Sequence, residues 1–341
     1  MTTRTEAAPA SYRRSPWEAW GHRLAAQRAL LVAAAVFLVM FSYYAYMQPV
    51  GLSSNVINTA ANKGVLLALV AMAQTLPILT GGIDLSVGTM LVLTNCLASN
   101  VVNGNPLMTA IGIVVVLLAG AACGALNGFI VVYGRIQPII VTIATSAVFF
   151  ALALWLRPQP GGSVNPEFAD LMTRSTYWVP SSIILLLAVV FVIWIPYRRS
   201  VIGRAAYAIG SSEQAAYMSG VAIDRAKFLA YTLGGLLSAI AGLSLTALTY
   251  TGEARAALAA DYTLNSIAAV VIGGTSLFGG SGSAIGSIFG AFVMRTVGDL
   301  LFVLDMNPVL QPLFVGIVLL AAVSMGSLRL LRIKNKLDLY R

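Results

Sequence analysis

With 341 residues, 58% of them hydrophobic and only 10% charged, and a mean hydropathy of +0.85, the chain has too little polar surface for a water-soluble domain. The expected fold class is one all-α, polytopic membrane domain. The net charge of +9 raises nucleic-acid binding as a function, but the basic residues cluster beside apolar runs, so they carry topology and exclude that partner.

Residues 1–28 form a basic tail in which Ser15-Pro16-Trp17-Glu18 has the order of a capped helix start. Trp17, Trp20 and Arg23 suit a helix lying on the inner leaflet, and a tail without fixed structure fits the same composition equally well. About ten spans follow, at 29–47, 55–79, 85–102, 108–133, 136–156, 180–197, 228–250, 262–279, 284–304 and 308–325. Each has about 18 residues or more, the length a helix needs to cross hydrocarbon. The first ends in Tyr43, Tyr44 and Tyr46, an interfacial belt in place of a small-residue cleavage site, so it reads as a retained span.

Gly81-Gly82-Ile83-Asp84-Leu85-Ser86-Val87-Gly88 interrupts the apolar pattern after the second span, and Gly273-Gly274 with Gly279-Gly280-Ser281-Gly282 interrupts it after the eighth. Glycine-broken helices are tolerated in a bilayer only where protein or an aqueous cavity satisfies the freed backbone, so both breaks mark a candidate pathway lining. Their comparable places in the two halves hint at an internal duplication. Asp84, the carboxylate of the first break, suits either the cap of the next helix or contact with cargo, and Ser86 sits at the same end. Gly120, Gly124 and Gly128 form a smooth helical stripe, as do Gly282, Gly286 and Gly290, and packing within the chain is favoured over packing on a second copy. Arg295 and Asp299, four residues apart, are expected to pair; Lys63 is a further intramembrane charge.

Three soluble segments remain. The loop 157–179 holds Arg157, Glu167, Asp170 and Arg174, and a shorter stretch holds Glu253, Arg255 and Asp261. These charges are candidates for an external partner, or are simply solvated. Residues 198–227 form the longest loop on the other side. There Ser211 and Gln214 fit a capping box, Glu213 suits the first turn and Gly220 a stop, which gives a short helix between Gly210 and Gly220. Its Ala215, Ala216 and Met218 suit a groove on another protein, although a plain surface helix has the same composition. Sixteen of the 21 Lys and Arg fall on that loop, on Arg135, on the first tail and on the tail 327–341, which puts both termini in the cytoplasm.

Cys96 and Cys123 lie inside predicted spans and are expected to be reduced thiols. His22 alone makes no metal site, and no phosphate loop, HExxH or Ser/His/Asp set is present, so neither an enzyme nor a metal protein is indicated. Secondary transporters also use broken helices, but one carboxylate is thin support for ion coupling, and no filter motif supports a channel.

Residues Asn62 to Gly88, Gly124-Ala125-Leu126-Asn127-Gly128, Ile202-Gly203-Arg204 through Gly220, and Leu264 to Gly290 with Gly-Gly-Thr-Ser-Leu-Phe-Gly-Gly-Ser-Gly together resemble the permeases of ribose, xylose, arabinose and galactose type ABC importers. The match covers most of the chain after about residue 50, departing from the family pattern at Ala73-Gln74-Thr75-Leu76-Pro77 and at Ser211-Ser212. The resemblance implies a permease domain at 29–326 in the bacterial inner membrane, moving a monosaccharide. A nucleoside or a signalling furanose is the alternative cargo. It implies two cytoplasmic ABC ATPase domains, a periplasmic sugar-binding protein and a second permease, either a copy or a paralogue. ATP is then used by partner subunits, with no cofactor bound by this chain. Ser211, Ser212, Glu213, Gln214, Ala215, Ala216, Met218 and Gly220 become the ATPase-coupling helix. Asn58, Gln74, Thr80, Asp84, Ser86, Asn95, Thr142 and Thr145 become candidates to line the path. Arg157, Glu167, Asp170, Arg174, Glu253 and Arg255 become candidates to meet the binding protein.

Overall fold

The computed structural model describes residues 28–310, apart from 50 and 177, and scattered positions from 312 to 324. Helix α1 (Arg28–Met47) is followed by α2 (Ser54–Leu79), α3 (Val87–Val101), α4 (Pro106–Tyr133), α5 (Pro138–Leu156) and the short α6 (Pro166–Thr173). A two-residue hairpin, Ser175–Thr176 against Val179–Pro180, leads into α7 (Ser181–Arg199). Then come α8 (Val201–Ser211), α9 (Glu213–Met218), α10 (Ile223–Thr249), α11 (Ala256–Ile272) and α12 (Ala284–Val303). Among the described residues seven helices are long and apolar enough to cross a membrane: α1, α2, α4, α5, α7, α10 and α12. The chain is a multi-pass membrane protein. The expected tail helix and the tail at 327–341 lie outside the described residues, apart from Arg28; the span expected at 308–325 opens with a 3-10 turn at Pro308–Leu310 and is helical at its described positions from 312 to 324.

Two expected spans are shorter than hydrocarbon is thick. Helix α3 has 15 residues and α11 has 17, about 22 and 26 Å against a core of about 30 Å. The span expected at 262–279 is a helix that starts earlier, at Ala256, and stops before the glycine pair. Charges at Glu253, Arg255 and Asp261 had marked that region as loop, yet Asp261 is exposed on α11. Residues 273–283 are not helical, and Gly274, Gly279, Gly280 and Gly282 all take positive φ there, conformations that a Cβ resists.

Helix α2 is the centre of the fold. From Val65 to Leu79 every residue is buried, which requires an element apolar on all sides. Its Pro77 stands in the last turn, and the Pro77 carbonyl accepts from the N–H groups of Thr80 and Gly82 and from Thr80 Oγ1, so the chain reverses without losing its backbone bonds. Helix α10 packs most extensively on α4. The stripe Gly120, Gly124 and Gly128 lies directly on Gly235, Ala239, Tyr231 and Phe228, where any Cβ would strike backbone, so close approach replaces side-chain volume. Gly286 and Gly290 do the same against Gly273 and Ala269, and both seams are internal; Gly282, expected on the second stripe, instead precedes α12 at φ +135 and faces Thr275. In α7 a π turn spans Val190–Trp194, with Ile195 N–H bonded to Val190 O; Pro196 follows it, and the wider turn removes the clash that a proline ring makes with the preceding turn.

Two faces emerge. One carries the turn 134–137, the segment 199–222 and both glycine breaks, and we call it the basic face. On the far face, Ser163 N–H bonds Ser99 O, Asn165 N–H bonds Val102 O, and Gly161 and Gly252 exchange both backbone bonds, at 3.0 and 2.8 Å. The stretches 157–180 and 250–255 are therefore one plate.

Candidate functional site

The expected pathway residues are, with one exception, inside the protein. Gln74, Thr80, Asp84, Ser86, Asn95, Thr142 and Thr145 are all buried, and most have structural partners. Asp84 Oδ1 accepts from Ser86 N–H at 2.8 Å and from Ser86 Oγ at 2.6 Å. Ser86 Oγ accepts from Asn127 Nδ2 at 2.7 Å, and Thr142 Oγ1 accepts from Leu85 N–H at 3.0 Å. Asp84 thus holds the Ser86 amide and hydroxyl just ahead of α3 but is not the helix cap: Ser86 occupies that position, without a side-chain capping bond. Asn95 donates to Thr246 Oγ1 and Thr251 O and accepts from Glu253 N–H, bolting α3 to the stretch that enters α11. The exception, Asn58, is half-buried and, with Asn62, donates to Thr173 O at 3.0 Å, holding the end of α6. Gln74 is fully buried with neither side-chain polar atom bonded to protein.

An open cleft of about 400 Å³ lies elsewhere, between α3, α5 and α11. Thr89, Ser146 and Thr263 give it three hydroxyls, Ala147, Ala256, Ala259 and Ala260 a smooth wall, and Phe150 an aromatic surface. Each hydroxyl donates to a carbonyl of its own chain three or four residues back, so it keeps acceptor capacity for a ligand without an unsatisfied donor. Such a surface suits a neutral, hydroxyl-rich molecule held weakly. None of these residues was foreseen, although Ser146 adjoins Thr145 and Thr89 follows Ser86 by one turn. The alanine run 256–260 fell outside the expected span. The walls meet where Gly88 N–H donates to Thr263 Oγ1 at 3.1 Å, and a Cβ on Gly88 would strike the Ala259 carbonyl.

On the basic face, residues 199–222 form a helical hairpin and not a loop with one helix. Ser211 ends α8, and the cap of α9 is Ser212, whose Oγ accepts from Ala215 N–H at 3.3 Å; the expected start at Ser211 is one residue early. Glu213 pairs with Lys227 at 2.7 Å. Ala216 faces inward, 4% exposed against Ala205, Ile209 and Ala226. Tyr217 and Met218 point out, at 72% and 84% exposure. Gln214 and Ala215 are exposed, and Gly220 has φ +72 beyond the helix end. The outward pair, and not Ala216, is the large apolar surface that α9 offers.

On the far face Glu167, Asp170, Arg174 and Arg255 are exposed. Asp170 accepts from Tyr250 Oη at 2.9 Å, a bond that pushes the phenol pKa up. Glu253 pairs with Arg255 at 3.1 Å. Arg157 is held by Ser99 Oγ and O at 3.0 and 2.9 Å and is thus a strut of the plate, unlike the free charge expected. Near that face Asp299 lies 3.4 Å from Lys63 and 3.7 Å from Arg295, on a second cleft of about 450 Å³. Among the described residues no group of three His, Cys, Asp or Glu could hold a metal.

The family described as "Branched-chain amino acid transport system / permease component" matches residues 56–323. The ribose import permease protein of Bacillus subtilis (strain 168) is 33% identical over 84% of this chain and 88% of its own length. That of Escherichia coli (strain K12) is 31% identical over 95% and 98%. The autoinducer 2 import system permease protein of Photorhabdus laumondii is 31% identical over 74% and 78%. No solved structure matches the chain. With a polytopic helical fold and a match over most of its length, the chain belongs to this family of transport-system permease components.

Proposed function

We propose that the chain forms one half of a path for a ribose-class sugar across the bacterial inner membrane, with the basic face and both termini in the cytoplasm. The observation that carries this is the cleft between α3, α5 and α11, an open concavity in which three hydroxyls stand on a wall of alanines. A second permease, a copy or a paralogue, covers the open side of this cleft and completes the path. The ribose import names of two relatives support the substrate class. Two separate ABC ATPase domains dock on the hairpin at Tyr217 and Met218 and consume the ATP; this chain binds no cofactor and carries out no chemistry. A periplasmic sugar-binding protein meets the far-face plate at Glu167, Asp170, Arg174 and Arg255. Closure of the ATPase pair moves the hairpin and shifts the path between outward-open and inward-open states.

The test is uptake of radiolabelled ribose into proteoliposomes containing this chain, its ATPase and its binding protein, with Ala260→Trp to fill the cleft. Uptake that needs ATP and falls at least tenfold in the variant, with assembly intact, is expected. Uptake that ignores the tryptophan removes the cleft from the path.

A further inference from the structure

The hairpin and both glycine breaks meet at one point on the basic face. Gly280 N–H donates to Leu79 O at 3.2 Å, joining the second break to the end of α2. Tyr207 Oη donates to Gly282 O at 2.9 Å, joining α8 to the second break. Gly210 lies between them: a Cβ there would strike both the Leu79 carbonyl and the Gly280 amide. Gly279, at φ +86, faces Gly81 and Gly210 in the same way, and Gly280 lies on Ser211. Three segments distant in sequence therefore touch backbone to backbone.

Each segment continues into a different working part. The first break runs into α3, which brings Leu85 and Thr89 to the cleft; the second begins where α11, with Ala260 and Thr263, ends. Helix α8 runs into α9 with its exposed Tyr217 and Met218. A contact made through long side chains absorbs displacement by rotamer change, whereas packed backbone transmits it.

We propose that Tyr207 and Gly210 are positioning residues that bind α8 and both glycine breaks into a single body, so that movement of the hairpin reaches α3 and α11 together. This deepens the importer reading and rests on it. The chain's Cys96 and Cys123 are both free, which allows a cysteine-substituted test.

In membranes holding the full complex, both native cysteines are replaced by Ala and Ala260→Cys is labelled with a maleimide, with and without ATP plus vanadate. The parent is expected to change labelling rate with ATP. Tyr207→Phe, which removes one hydroxyl, is expected to shrink that change about fivefold, the population shift that one net hydrogen bond supports, with the ATPase still co-purifying in equal amount. Gly210→Ala is expected to do the same or more; if it fails to assemble, Tyr207→Phe carries the test. Joining Ser211→Cys to Ser281→Cys with a short bismaleimide is expected to leave the ATP response intact. A parental response in both variants, or a response abolished by the cross-link, overturns the single-body assignment. Absence of an ATP response in the parent overturns the importer reading first, which separates the two failures.

Discussion

Removing the side chain of Met218 beyond Cβ tests the docking surface most directly. Met218 is 84% exposed and Tyr217 72%, on a helix whose Ala216 is packed inward. Fully burying a Met side chain contributes about 1.5–3 kcal/mol, and nearly all of that area is still free to be covered. Met218→Ala should then weaken ATPase binding by about 1–2 kcal/mol per copy, roughly 5–30-fold in affinity. The assay is titration of fluorescently labelled ATPase onto the permease in nanodiscs, with thermal unfolding of the free permease as control. The midpoint of unfolding should stay unchanged, because Met218 supports nothing within the chain. Ala216→Arg should behave in the opposite way, lowering the midpoint by placing a charge among Ala205, Ile209 and Ala226. Wild-type affinity in both Met218→Ala and Tyr217→Ala would refute the outward pair as the docking surface.

Asp84→Ala should destabilise the detergent-solubilised protein by about 1–3 kcal/mol, since it strands the buried Ser86 amide and hydroxyl; Asp84→Asn, which keeps an acceptor, should recover most of the loss in a thermal melt. Gly124→Ala, whose Cβ would strike the Tyr231 carbonyl, should cost about 1–3 kcal/mol by forcing α4 off α10, read as a lower unfolding midpoint, and an unchanged midpoint would show that the seam can part freely. Asp299→Asn leaves Lys63 and Arg295 without their shared carboxylate; the expected loss is no more than about 1 kcal/mol because both cations are partly exposed, and adding Lys63→Gln should narrow it.

Spans of high hydropathy were legible because an apolar helix long enough to cross is almost forced once water is excluded. The breaks were legible as glycine clusters because they follow from local backbone demands, whereas Asp84, one of two readings of which was a helix cap, instead holds the cap residue Ser86. What could not be read was which way a side chain faces after helices associate. Thr142 and Thr145 were expected on the path because they are hydroxyls in a span, yet they turn inward while Ser146, the next residue, faces the cleft. Helix α5 is apolar all round, so its sequence carries no periodic signal to choose a face. The start of α11 was hidden by charges that mark loops in water but here sit at an exposed helix end. Ala216 was misjudged because small residues suit both a docking groove and a tight hairpin, and only the partner surfaces, Ala205 and Ile209 on α8, decide between them.

The bolt at Asn95 has a mechanical corollary when set beside the junction at Gly210. Asn95 fixes α3 to the stretch that enters α11 on the far face, Gly88 fixes the first turn of α3 to Thr263 in the middle of α11, and the glycine contacts join the segment before α3 to the segment after α11. On the importer reading proposed above, α3 and α11, riveted together at two levels, move as one door leaf. On the same reading, the passage widens by this leaf swinging against α5 or against a second permease, and not by α3 parting from α11. Loosening a rivet, as with Asn95→Ala, should leave a passage that leaks instead of one that is blocked.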